Sequence, residues 1–101
     1  MEQPVFLLEE ATPDPAQPEA LRYYRNCAEM ATRAYGGVPI ASYDVEIALD
    51  SAGHPSRFAV ISFPNRQAIR ALFEDPAYQA LIPHRDKAYH HIRYFVVNEK
   101  L

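Results

Sequence analysis

A chain of 101 residues with 49% hydrophobic, 12% aromatic and 23% charged side chains suffices for one core and not for two, so residues 1–101 read as one globular domain and not as a disordered or fibrous chain. Ten Lys and Arg against thirteen Asp and Glu leave a net charge of -3, which excludes the positive field a dedicated nucleic-acid binder uses to collect phosphates. The single cysteine, Cys27, excludes an intrachain disulfide, and neither a signal peptide nor the ~20 apolar residues of a membrane span is visible, so the cytoplasm is the expected compartment.

Val5 to Glu10 alternates with apolar residues on both sides, the pattern of a strand covered on both faces, and Pro4 suits its start. Ala11 to Pro18 contains Pro13, Pro15 and Pro18 and is expected to be a loop. Helical spacing then runs from Glu19 to Tyr35 through Leu21, Tyr24, Cys27, Ala28 and Ala31, with Pro18 in the first turn and Gly36-Gly37 as the stop. Val38 to Asp50 alternates and predicts a second strand. Residues 51–55 form a turn, and Arg57 to Phe63 returns as an antiparallel strand with two apolar faces.

Asn65 is a helix cap for a short amphipathic stretch carrying Ala68, Ile69, Leu72 and Phe73. Asp75-Pro76 repeats the start signal, and Pro83 kinks or restarts a segment that continues to about Tyr89. His91 to Asn98 is the last strand, again apolar on both sides. The order predicts an α+β, ferredoxin-like βαββαβ protomer: a four-stranded antiparallel sheet with helices on one face. Helices on one face leave the other uncovered, and strands apolar on both sides do not leave such a patch in water. A homodimer with the sheets face to face, burying roughly 800 Å² per partner, is the expected cover.

The runs from Arg57 to Pro64 (RFAVISFP) and from Asp75 to Arg85 (DPAYQALIPHR), with Tyr35-Gly36-Gly37 after the first helix, resemble the family catalogued as domain of unknown function 1330, within the dimeric α/β barrel superfamily. The most specific piece is Tyr78 to Leu81 with Pro83 and Arg85, and the likeness runs from about Leu21 onward. The resemblance implies a ferredoxin-like protomer and a dimer. The wider superfamily implies cofactor-independent acid–base or oxygenase-like chemistry. This chain departs from the family pattern at Pro39, Ser42, Tyr43 and Asp44 after the glycine pair, and at His84.

Tyrosines Tyr24, Tyr35, Tyr43, Tyr78 and Tyr94 combine an apolar body with a polar tip, which suits either a core or the lining of a mostly apolar pocket. Tyr24 and Tyr78, on the helical layer, are the expected ligand-binding pair. His84 is the candidate acid or base and Arg85 the anion anchor beside the break at Pro83. Four histidines, His54, His84, His90 and His91, do not have metal-ligand spacing, and neither a metal nor another cofactor is expected. Asp44 and Glu46 share a strand face, as an acid–base pair or a solvated edge would, and Cys27 reads as a small buried hydrophobe. The expected function is small-molecule binding with or without turnover; the alternative is a non-catalytic dimerisation or regulatory module.

Overall fold

In the computed structural model, which describes residues 3–100, the chain forms β1 (Val5–Pro13), α1 (Pro18–Ala34), β2 (Val38–Asp44), β3 (Arg57–Phe63), α2 (Arg66–Glu74), α3 (Pro76–Gln79), α4 (Ile82–Ala88) and β4 (Tyr89–Val97). The strands make one antiparallel sheet in the order β2-β3-β1-β4. This is the ferredoxin-like βαββαβ plan expected of a dimeric α/β barrel protomer.

Local chemistry explains the helix ends. Pro18 enters α1 where its missing N–H costs nothing. At the other end Gly36 takes a φ of +82°, and the Gly36 and Gly37 N–H groups donate to Arg33 and Thr32 carbonyls at 3.0 and 2.9 Å. That is a Schellman cap, whose left-handed residue favours glycine. Gly37 has a second reason to be small: a Cβ there would come within 2.9 Å of the Phe63 ring and into contact with Thr32. The Asn65 side chain accepts from Ala68 N–H at 2.8 Å to start α2, and Asp75 accepts from Ala77 N–H at 2.8 Å to start α3. Pro83 falls in the first turn of α4, so the helical segment restarts there instead of bending through it.

In register, Leu7 lies opposite Ile61 and Val96, and Glu9 opposite Ala59 and Tyr94. The odd-numbered side of β1 therefore faces the helices, and Val5, Leu7, Ala11, Ala59 and Phe63 are buried there with Tyr24, Ile69, Leu72 and Tyr78. The other side carries Phe6, Leu8, Phe58, Val60, Phe95 and Val97, all half-buried. The Cα envelope is only 17 Å thick, which fits a sheet and one helical layer with nothing on the far face.

Three boundaries differ from the sequence expectation. β1 does not end at Glu10 but runs to Pro13, because Ala11 is fully buried between Arg57 and Ile92, and a register shift at Thr12/Pro13 absorbs the proline at the strand end. β2 stops at Asp44, opposite the first residue of β3, although the alternating pattern continues to Leu49. Beyond it one further bond, Val45 N–H to the Ser56 carbonyl at 2.8 Å, closes a loop in which Ile47 and Leu49 are 67% and 92% exposed. β4 begins two residues before the predicted His91.

Candidate ligand cleft

Tyr24 reaches down from α1, Tyr78 across from α3 and Tyr94 up from the helix face of β4, and their hydroxyls meet. Tyr24 Oη lies 2.8 Å from Tyr78 Oη and 2.6 Å from Tyr94 Oη. Arg85 Nη1 donates to Tyr78 Oη at 3.2 Å, and Tyr94 Oη donates to Glu9 Oε1 at 3.4 Å. A guanidinium can only donate, an ionised carboxylate can only accept, and each phenol has one proton. The bonds therefore run one way, from Arg85 through Tyr78, Tyr24 and Tyr94 to Glu9.

The aromatic bodies hold this chain in place. Tyr24 sits edge-on to Tyr78 and Tyr89 at 6.4 and 5.9 Å between centroids, and Phe73 meets Tyr78 at 4.9 Å and Tyr94 at 5.2 Å. Burial pushes the Tyr24 and Tyr94 phenols well above their usual range; Tyr78 pushes Tyr24 further, against the hydrogen bond to Tyr94 and the charge of Arg85, and Tyr24 and Tyr78 both push Tyr94 further. Burial, seconded by the charge of Glu9, also raises Tyr89. Burial opposes the Arg85 charge, yet the bond to the Tyr78 phenol and its field outweigh it, so that the guanidinium is held more firmly. The Tyr24, Tyr89 and Tyr94 phenols are therefore neutral at pH 7.

The hydroxyls line a cleft of about 230 Å³ between the sheet and α1, whose other polar walls are Glu9, Arg25, Glu29, Thr32, Arg33 and Arg57. At the ~30 Å³ a water-sized group takes up in a liquid, that is room for about eight non-hydrogen atoms. Arg57 approaches Glu9 at 3.7 Å, but its buried Nε has no hydrogen-bond partner, alone in this among buried side-chain nitrogens and oxygens of the described residues. A buried donor without an acceptor invites one from a ligand.

A family profile described as "Domain of unknown function (DUF1330)" matches residues 7–99. The chain belongs to this family. Among solved structures it is similar to a protein of unknown function from Rhodopseudomonas palustris, at 19% identity and a TM-score of 0.83, over 100% of this chain and 85% of that one. It is also similar to Rv0793 from Mycobacterium tuberculosis, at 19% identity and a TM-score of 0.68 over 97% and 96% of the two chains. A third, SnoaB, a cofactor-independent oxygenase from Streptomyces nogalater, has 9% identity and a TM-score of 0.68 over 100% and 96%. Likeness at these identities shows a shared fold and no more. No curated protein matches the chain.

Of the residues singled out in this DUF1330 chain from sequence, Tyr24, Tyr78 and Arg85 come together, with Arg85 bonded to Tyr78 from behind the cleft and also 3.4 Å from Asp86. His84 does not join them: it is exposed on α4, its ring 4.6 Å from that of Tyr23, and is not among the lining side chains. The other histidines are dispersed, His90 toward Asp14, His91 toward Glu10 and His54 toward the Pro55 carbonyl. Asp44 ends β2 and Glu46 lies beyond it, so they do not share a strand face. Cys27 is partly buried against the core. Sequence reasoning missed Glu9, Arg57 and the place of Tyr94 in the hydrogen-bonded chain. The signal for Glu9 was present: a carboxylate in the otherwise apolar series Val5, Leu7, Glu9, Ala11.

No helix among the described residues is long and apolar enough to cross a membrane.

Proposed function

We propose that this protein is a homodimer that binds a compact small molecule, carrying a carbonyl or anionic group, in the cleft of each subunit. One observation carries the reading: a one-way hydrogen-bond chain from Arg85 to Glu9 borders a cleft lined also by Arg57, whose buried Nε donor has no partner among the described residues. Tyr24 and Tyr78 present the phenols, Arg85 fixes their polarity, and Arg57 meets the acceptor. If the bound molecule is turned over, the chemistry is cofactor-independent proton transfer or oxygenation, with Glu9 as the base. Support for that step is analogy with the oxygenase SnoaB, at the level of fold. The proton-transfer role expected of His84 has no support from its position against Tyr23.

The dimer reading is supported by surface area. A monomer of 11.5 kDa exposes about 5,800 Å², whereas this chain exposes 7000 Å². The excess of roughly 1,200 Å² is more than the roughly 800 Å² that one partner buries in an ordinary interface, and the half-buried Phe6, Leu8, Phe58, Val60, Phe95 and Val97 supply an apolar face for it.

A binding module without turnover is the second reading. It is favoured by the raised Tyr24 and Tyr94 phenols, which lie far from the range a general base works in. A thermal-shift screen against small carboxylates and carbonyl compounds tests the cleft: a hit should be lost in Y78F and R57Q and kept in H84A. Hits that ignore Y78F and R57Q, or that depend on His84, refute the site. Product analysis with a confirmed hit separates an enzyme from a binding module.

A further inference from the structure

Helix α2 carries its charges in the order opposite to the one its backbone favours. The free N–H groups of a first turn have partial positive charge and the last carbonyls partial negative charge. Yet Arg66 opens α2, Arg70 follows one turn later, and Glu74 closes it, with no acid in the first turn and no base in the last. Residues four apart share a helix face, so Arg66 and Arg70 also repel each other. Both are exposed, and neither makes an ion pair among the described residues, even though Glu74 is four residues beyond Arg70. Asn65 caps the first turn, but no ion pair among the described residues offsets the two arginines.

Beside the two arginines is an opening that accounts for them. Ile69 and Phe73 of the same helix, with Tyr94 and Val96 of the edge strand β4, wall a second cleft of about 500 Å³ whose rim is Arg66 and Arg70. Val96 lies on the helix face of the sheet, opposite Leu7, and is nevertheless 50% exposed. The cleft has no acidic lining residue; Asn98 adds a neutral amide. At ~30 Å³ per water-sized group it has room for about seventeen non-hydrogen atoms. An apolar floor under two unpaired cations selects an anion with an apolar body.

We propose that the α2–β4 cleft is a second binding site, for a carboxylate with a medium-length acyl or an aryl body. The carboxylate is held between Arg66 and Arg70, and the apolar body covers Val96, Ile69 and Phe73. Leu7, Phe73 and Tyr94 form the wall between this cleft and the first. The ligand-anchoring groups differ, so the two sites are separable by mutation.

Calorimetric titration of the full chain with octanoate, benzoate and octan-1-ol decides the matter. Saturable binding of octanoate or benzoate is expected, with octan-1-ol weaker by about tenfold or more, the scale of hydrogen bonds to a charged group. Octanoate preferred to benzoate assigns an acyl body, and the reverse an aryl one. R66Q/R70Q should lose about tenfold in affinity for the preferred acid while melting no lower than wild type, since it removes the conflict with the helix dipole. Y78F should bind that acid as wild type does, which separates this site from the first cleft. Absence of binding by both acids, equal binding of octanoate and octan-1-ol, affinity unchanged in R66Q/R70Q, a lower melting point for that variant, or loss of binding in Y78F would each overturn the proposal.

Discussion

The two faces of the sheet are built from the same kinds of residue and end up in different surroundings. On one, Val5, Leu7, Ala11 and Phe63 are closed over by α1 to α4, and Phe63 is 1% exposed. On the other, Phe6, Leu8, Phe58 and Val60 remain half-buried. The polar residues follow the same division. The closed face holds Glu9 and Tyr94 in a network fenced by aromatic rings, whereas the open face keeps its charged residues toward one end, where His91 Nε2 lies 2.6 Å from Glu10 Oε2. A face sealed by its own chain can carry a buried hydrogen-bond chain because each partner is supplied in the same folding event. A face proposed to meet a second copy is better kept apolar.

The largest effect that tests this contrast is truncation of equivalent phenylalanines. F63A should cost about 3–5 kcal/mol of unfolding free energy by chemical denaturation, at any protein concentration. F58A should instead act through assembly, shifting sedimentation from twice 11.5 kDa toward a single chain. If F58A leaves sedimentation unchanged, the two faces do not differ in the way argued.

Next in size is Y24F, which removes the hydroxyl joining Tyr78 to Tyr94. Leaving two buried phenols short of a partner should cost about 1–3 kcal/mol. The sign with pH follows from the raised phenols of Tyr24 and Tyr94: their contribution is complete below the ordinary tyrosine value of about 10 and is lost as pH rises through the folded values. The stability gap between wild type and Y24F should therefore be flat from neutral pH to about 10 and close only above it. A gap that closes near neutrality would mean the phenols are not held neutral by burial.

The smallest effect concerns the link between α1 and the α2–α3 junction, where Tyr35 Oη donates to Asp75 Oδ2 at 2.5 Å. That bond, with help from Ala77 N–H, holds the Asp75 carboxyl below its usual range, and it holds the Tyr35 phenol above its own. Asp75 contributes above its unfolded value of about 4 and loses this as pH falls through the folded value; Tyr35 contributes below about 10 and loses this as pH rises further. Melting curves of Y35F should run slightly below wild type between those limits and coincide with it in acid. A difference that persists at pH 2 would assign the effect to packing.

Much of this architecture was legible in the residues because it is decided locally. Asn65, Asp75 and Gly36 mark helix ends by chemistry confined to one turn, and two-sided apolar strands announced the uncovered face. Where a second strand decides the outcome, single-strand periodicity misleads. The alternation of Val45 to Leu49 continues beyond Asp44, but β3 has no residue left to pair with it. Conversely Pro13 looked like a loop residue and sits in a strand, because only β4 pairs with that position. The cleft was half legible: Tyr24, Tyr78 and Arg85 share the helical layer, whereas Glu9 and Tyr94 become neighbours only through the β1–β4 register. His84 follows Pro83 directly, and the restart of the helix there leaves its ring on the outer side against Tyr23.

The loop closed by the Val45–Ser56 bond has a consequence for how this chain can be cut and rejoined. Residues 46–55 contribute nothing to the buried core, while β2 and β3 are zipped independently by their own ladder. A protease nick there leaves both strands in place. Replacing the ten residues by a two-residue turn lowers the closure entropy by about 1.4 kcal/mol, on the logarithmic scaling of loop length. The segment is thus a natural place for new chain termini, and the sheet holds its shape with the backbone open at that point.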